Sequence, residues 1–275
     1  MDWSQKNAIV CTMHGKETVI EPVLNSLGFN WISAPFNTDQ FGTFTGEIER
    51  KDTPLEAATK KCELAFNQTD ATIAVASEGS FGPHPTVPFL PINEEIILFW
   101  DKESNVKITV SSLTTETNFS SKICHSSEDL LSFANQVGFP EHGLILSNDK
   151  RQKIYKGITD EKTLQARFNQ LMSIDESVCV ETDMRAHLNP TRMKHIASLA
   201  GKLKAKLLSV CPSCDTPGFG EEHFESGLPC SQCGLPTSSI KTKKTECTMC
   251  SYTASISYPN GKKVEDPQFC SFCNP

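Results

Sequence analysis

Apolar positions along this chain fall alternately into short strand-length runs and into helical stripes. Asn7–Cys11 is an apolar run followed by a turn, Thr12-Met13-His14-Gly15-Lys16-Glu17. Val19, Ile20, Val23, Leu24 and Leu27 then recur at helical spacing, so Thr18–Leu27 predicts a helix that Gly28 stops. Phe29–Ala34 reads as a second strand and Asn37–Lys51, rich in Gly, Thr and Phe, as a loop. Thr53 and Pro54 carry N-cap and first-turn signals for a helix reaching about Asn67. Asp70–Ala76 predicts a third strand that stops at the polar segment Ser77–Pro85.

The second half continues the alternation. Glu95–Trp100 and Val106–Ser111 flank a polar turn and read as an antiparallel hairpin. Ser126–Gly138 and Asp160–Met172 read as helices, with short strands at Leu144–Leu146, Lys153–Lys156 and Val178–Val180. Asn189 and Pro190 open a last helix reaching about Val210 and running directly into Cys211. The order predicts an α/β domain over 1–210, with a mixed, mainly parallel sheet and flanking helices.

Cysteine changes the picture beyond residue 210. Eight of the 12 cysteines form four CxxC pairs: Cys211/Cys214, Cys230/Cys233, Cys247/Cys250 and Cys270/Cys273. Two residues between thiols suit a turn that aims both thiolates at one ion, and zinc takes four such ligands. Four pairs therefore predict two structural zinc ions in a double zinc-ribbon module over 211–275. The gaps between pairs are 15, 13 and 19 residues. Sequential, crossed and outer-with-outer pairings all keep each CxxC intact; the 15- and 19-residue gaps favour the sequential one. Disulfides fit less well, because the chain opens without an apolar signal segment and the other four cysteines sit in apolar or mixed contexts. Iron is the minority alternative.

Charge narrows the partners. The formal net charge is −7 and the pI about 5.5. From Cys211 onward there are five Lys and no Arg against seven Asp plus Glu. Eight thiolates against two divalent ions make this tail more acidic still. A nucleic-acid partner is disfavoured, since such ribbons present a basic face. No run approaches the ~18 apolar residues of a membrane span, so the expectation is a soluble, cytoplasmic protein without a membrane partner.

In α/β sheets, ligands bind beyond the carboxyl ends of strands. Three predicted strands end in polar clusters: His14-Gly15-Lys16, Ser77-Glu78-Gly79-Ser80 and Glu181–His187. Gly15 would let backbone approach a phosphate that Lys16 neutralises at a helix start. Glu78 and Asp183 are the candidate acids for Mg²⁺ binding or water activation. Arg185, His187 and Arg192 are candidate anion ligands. Each has a bland alternative as a surface charge or salt-bridge partner.

The first hundred residues resemble the inosine/xanthosine triphosphate pyrophosphatase superfamily. The resemblance is carried by the strand–turn–Lys16–helix unit, by Glu56-Ala57-Ala58-Thr59-Lys60-Lys61 and by Ser77-Glu78-Gly79. It implies Mg²⁺-dependent hydrolysis of non-standard nucleoside triphosphates. Lys16 and Lys61 would contact phosphate, and Glu56 and Glu78 would bind metal or activate water. The chain departs from that pattern where His14 or Gly15 replaces an Asn of the first turn and Lys16 stands one residue early. Over nearly its whole length the chain also resembles an uncharacterised bacterial family of unknown function with a four-CxxC tail.

Together these readings describe a zinc-binding protein whose strand-end pocket takes a nucleotide or other phosphate-containing small molecule. The catalytic version is Mg²⁺-assisted phosphoanhydride hydrolysis, with Glu78 or Asp183 activating water and Lys16 and Arg185 neutralising charge. The alternative is a non-catalytic binding or scaffold protein whose ribbons contact a protein partner.

Overall fold

A computed structural model describes residues 2–36 and 52–275, so the loop expected over 37–51 lies outside the described residues. The chain divides into two compact units, one of Trp3–Leu203 and one of Lys204–Pro275 that also takes in Asp2.

In the larger unit, β1 (Asn7–Cys11) is followed by α1 (Glu17–Leu24), a 3-10 turn, and β2 (Asn30–Trp31). Gly28, at φ 80°, supplies the left-handed residue that ends this helical stretch. Next come α2 (Pro54–Gln68), β3 (Ile73–Pro83), β4 (Pro91–Asp101) and β5 (Val106–Thr114). Thr53 caps α2 reciprocally with Glu56, each side chain taking the other residue's backbone N–H. These strands form one sheet in the order β2-β1-β3-β4-β5. It is a mixed sheet with flanking helices, as expected. Parallel pairing is confined to β1 with β2 and with β3, and the expectation of a mainly parallel sheet is met only there. From β3 onward the connections are hairpins, which require antiparallel neighbours.

Strand alternation gives this sheet two distinct faces. Ile9, Cys11, Ala74, Ala76 and Leu98 pack with Ala58, Cys62, Ala65 and Phe66 of α2. On the opposite face Phe99 stacks with Trp3 and Phe29. One boundary is corrected here: β3 does not stop at Ala76. It runs on through Ser77–Pro83, every residue paired with β4. The polar and Gly-rich composition hid the extension, but a hairpin partner satisfies that backbone whatever the side chains.

A second, four-stranded antiparallel sheet has the order β6-β9-β7-β8, from Ser121–Cys124, Val178–Thr182, Leu144–Ser147 and Ile154–Ile158. Helices α3 (Ser127–Gln136) and α4 (Glu161–Met172) cover it, burying Leu130, Phe133, Leu164, Phe168 and Leu171 against Leu144, Leu146, Val178 and Val180. The side chains of Ser126 and Asp160 cap these helices, accepting from the N–H groups of Asp129 and Thr163. The last helix, α5 (Pro190–Leu208), carries the unit boundary within it.

The smaller unit is built on an antiparallel meander of β10 (Glu221–Ser226), β11 (Ile240–Glu246) and β12 (Thr253–Ser257). No helix among the described residues is long and apolar enough to cross a membrane.

Candidate metal centres and a buried charge cluster

All four CxxC pairs are closed by the same hydrogen bond. The backbone N–H of Asp215, Gly234, Ser251 and Asn274 each donates to the carbonyl of the first cysteine of its pair, at 2.9, 2.9, 3.0 and 2.8 Å. Asp215, Gly234 and Ser251 have φ of 55°, 75° and 58°, so in those three pairs the chain reverses immediately after the second cysteine. The N–H groups of Ser213 and Gln232 point at Cys211 Sγ and Cys230 Sγ, both 3.4 Å away. Each turn thus presents two sulfurs on one side together with donors that favour thiolates.

The sulfurs gather into two groups, Cys211/Cys214/Cys247/Cys250 and Cys230/Cys233/Cys270/Cys273. Sulfur–sulfur distances across pairs are 3.7 Å in the first group and 3.9 and 3.6 Å in the second. A tetrahedral ion with metal–sulfur bonds of ~2.3 Å requires edges of about 3.8 Å. Both clusters could therefore each hold one metal ion. Hydrogen bonds from Thr216 lower Cys214 to about 6, whereas the crowding of Cys273 against Cys233 pushes it up to about 12.

The pairing is crossed, which corrects the sequential arrangement. One strand of the meander separates each knuckle from the next, and consecutive strands run in opposite directions. The start of β10 therefore lies beside the end of β11, where Glu221 faces Glu246 and Glu246 faces Thr253. The first and third pairs meet at that end. The second and fourth meet at the other, where Ser226 faces Ile240 and Thr242 faces Ser257. Strands of five to seven residues hold consecutive knuckles roughly 16–23 Å apart, at ~3.3 Å per residue, too far to share an ion.

The larger unit holds a second cluster. Lys16 is 5% exposed and donates to Ser77 O and Oγ at 3.1 and 3.0 Å. Lys61 of α2 pairs with Glu78 at 2.5 Å. Arg192 of α5 pairs with Glu95 at 2.6 Å, spans the Met184 carbonyl, and lies over the Phe81 ring. Because β3 alternates, Ser77 and Glu78 face opposite sides of the sheet. Lys16 and the Arg192–Glu95 pair thus lie on one side, and the Lys61–Glu78 pair on the α2 side. A Cβ on Gly79 would run into Arg192 and Glu95, so this strand position needs glycine.

A rim connects this cluster to the segment after β9. The rings of His14 and His187 stack at 5.4 Å, and a Cβ on Gly15 would lie 3.5 Å from that of His187. Asp183 is fully buried. It accepts from the N–H groups of Gly157 and Arg185 and from the Arg185 guanidinium at 2.6–3.2 Å. Glu56 lies exposed at the start of α2, its carboxylate held by Thr53.

Charge and burial act strongly on two of these groups. Burial, then the nearby Arg192 and Lys61, lower Lys16 to about 7 despite opposing help from Glu95 and Glu78. Burial and then Arg185 lower His187. Lys16 and Glu78 are thus brought to one stretch of β3–β4 together with Lys61 of α2 and Arg192 of α5, while Asp183 is paired with Arg185. Sequence reasoning did not single out Ser77 or Glu95. Their signal was the strand itself: once β3 is extended, Gly79 faces Glu95, and Ser77, Gly79 and Glu95 share a face.

Residues 61–275, most of the chain, match the domain of unknown function DUF6671. The chain belongs to the DUF6671 family. No curated protein matches it. The DUF6671 match takes in Lys61, Glu78, Glu95, Asp183, Arg185, Arg192 and all eight clustered cysteines, and begins after Lys16 and Glu56.

Proposed function

We propose that this DUF6671 protein carries two structural zinc ions and binds a phosphate-bearing small molecule at the cluster around Lys16. The observation that carries the second half is a buried lysine amine held by two neutral oxygens, with two cations close by. The carboxylates argue the same way. Glu78, Glu95 and Asp183 each have a cationic partner, so the cluster is arranged for an anion rather than for a bare dication. A nucleotide or other phosphoanhydride would bring its Mg²⁺ with it. Glu78 would reach that metal by releasing Lys61, which would then be free for phosphate; this is the hydrolase version of the same site. Zinc is the metal that suits four thiolates in a tetrahedron with no open position, and a reducing cytoplasmic setting keeps those thiols available.

Metal analysis of the purified chain should find about two zinc ions per chain; one or none sinks the two-site reading. Pyrophosphate should bind the wild type and lose at least tenfold in affinity in Lys16→Met. Equal affinity in both removes the cluster from the function. Mg²⁺-dependent turnover of nucleoside triphosphates that is unchanged in Glu78→Gln removes the hydrolase version alone.

A second reading is a protein-docking role for the cysteine module. Met249 and Phe272, inside two knuckles, are 58% and 70% exposed, an unusual place for large apolar side chains. A partner that stays bound to Met249→Ser and Phe272→Ser, with zinc content intact, counts against it.

A further inference from the structure

The charges of the buried cluster do not balance, and the imbalance bears on how its ligand binds. Glu78 is matched by Lys61, Glu95 by Arg192 and Asp183 by Arg185. Among the described residues, Lys16 has uncharged hydrogen-bond acceptors, Ser77 O and Oγ. The charged groups that face it are Arg192 from α5 and Lys61 from α2, which oppose its charge, and Glu95 from β4 and Glu78 from β3, which favour it. Burial is the largest influence and also opposes the charge. In the empty protein at slightly alkaline pH, therefore, much of Lys16 is a neutral amine.

An oxyanion with two charges reverses that balance. It would supply the counter-charge that Lys61 and Arg192 have already drawn from the local carboxylates. Resting on the anion-site reading, we infer that a doubly charged tetrahedral oxyanion entering this cluster brings one solvent proton onto the Lys16 amine, so that ligand binding and protonation are a single event. The amine lone pair takes the proton, no other bond forms or breaks, and the ammonium then faces the ligand. The site consequently selects for double negative charge. Its affinity falls about tenfold for each pH unit above the free-state titration of Lys16. The rim histidine His187 does not account for this slope, since burial and then Arg185 hold it below its ordinary value.

The test uses the full, metal-loaded chain and sulfate, which stays doubly charged across the range and takes up no proton of its own. Calorimetry at pH 8.5 in two buffers of different ionisation heat should find uptake of nearly one proton per sulfate bound, with affinity about tenfold weaker at pH 9 than at pH 8. Lys16→Arg, charged throughout, should bind sulfate without uptake and with flat pH dependence. Lys16→Met should lose most of the binding. Tryptophan fluorescence certifies the fold of each variant. Wild-type binding without proton uptake overturns the inference and leaves the anion site standing. Uptake that persists in Lys16→Arg assigns the proton to another group and overturns it as well. Failure of sulfate, phosphate and pyrophosphate alike to bind removes both the inference and the reading beneath it.

Discussion

The two units of this protein are stabilised by different means. Trp3–Leu203 buries apolar side chains on both faces of one sheet and beneath two helices of another. Burial at ~25 cal/mol per Å² of apolar surface is the main favourable term for such a unit. In Lys204–Pro275 the buried apolar side chains other than cysteine are few, Leu207, Pro217 and Leu228 among the described ones. Phe224, Ile256, Phe269 and Phe272 are each more than half exposed. A unit of that size with so little core would rely for its fold on ions held by its two cysteine clusters. The chain therefore places hydrophobic stability around its charged cluster and coordination stability in its tail.

The strongest way to break the comparison is chelation. Stripping the metal should abolish hydrogen-exchange protection in β10–β12 while β1, β3, β4 and the second sheet stay protected. Protection that survives in the module would mean its core suffices without ions. All three tryptophans, Trp3, Trp31 and Trp100, lie in the larger unit, so fluorescence follows that unit alone.

The next largest effect should come from the buried pair. Arg192→Met leaves Glu95 buried without its cation and should cost the larger unit about 3–5 kcal/mol in urea, with zinc content unchanged. Adding Glu95→Gln should recover part of that loss. A smaller effect belongs to Lys16. Its pKa is lower folded than unfolded, so the unfolded chain binds more protons between about pH 7 and the ordinary lysine range near 10.4. Stability of the larger unit should rise with pH through that window, by at most about 1.4 kcal/mol per unit from this group, and Lys16→Met should flatten the rise. Smallest of all, Thr53→Ala should cost about 1 kcal/mol through the α2 cap, read as a shift in the fluorescence midpoint.

What could be read in advance follows the physics of each region. The Thr53 cap and the β4–β5 hairpin were readable because the signal is local: a hydroxyl before an apolar stripe, or two β-rich runs around a polar turn. The extension of β3 was not, since Ser77-Glu78-Gly79-Ser80 has no strand signature of its own and takes its conformation from β4. The eight metal-site cysteines were plain from spacing. Their pairing was not, because β10 and β11 are the polar sequences Glu-Glu-His-Phe-Glu-Ser and Ile-Lys-Thr-Lys-Lys-Thr-Glu, in which no apolar alternation announces a meander. Of the charged candidates, strand-end position found Lys16 and Glu78, the start of the last helix found Arg192, and the pyrophosphatase resemblance supplied Lys61. The partner that decides whether an acid is available, such as Arg185 for Asp183, is a matter of packing.

The crossed order of the cysteine pairs also has a temporal side. As the chain is made, Cys211, Cys214, Cys230 and Cys233 emerge before either native site has its four ligands. Four thiols are then available to one ion in the wrong, sequential combination, and the native first site waits for Cys250. An ion taken up at that stage would meet this decoy first. Formation of β10 would pull its two flanking knuckles to opposite ends, so the plain polar strand between them would act as the proofreader of the metal sites.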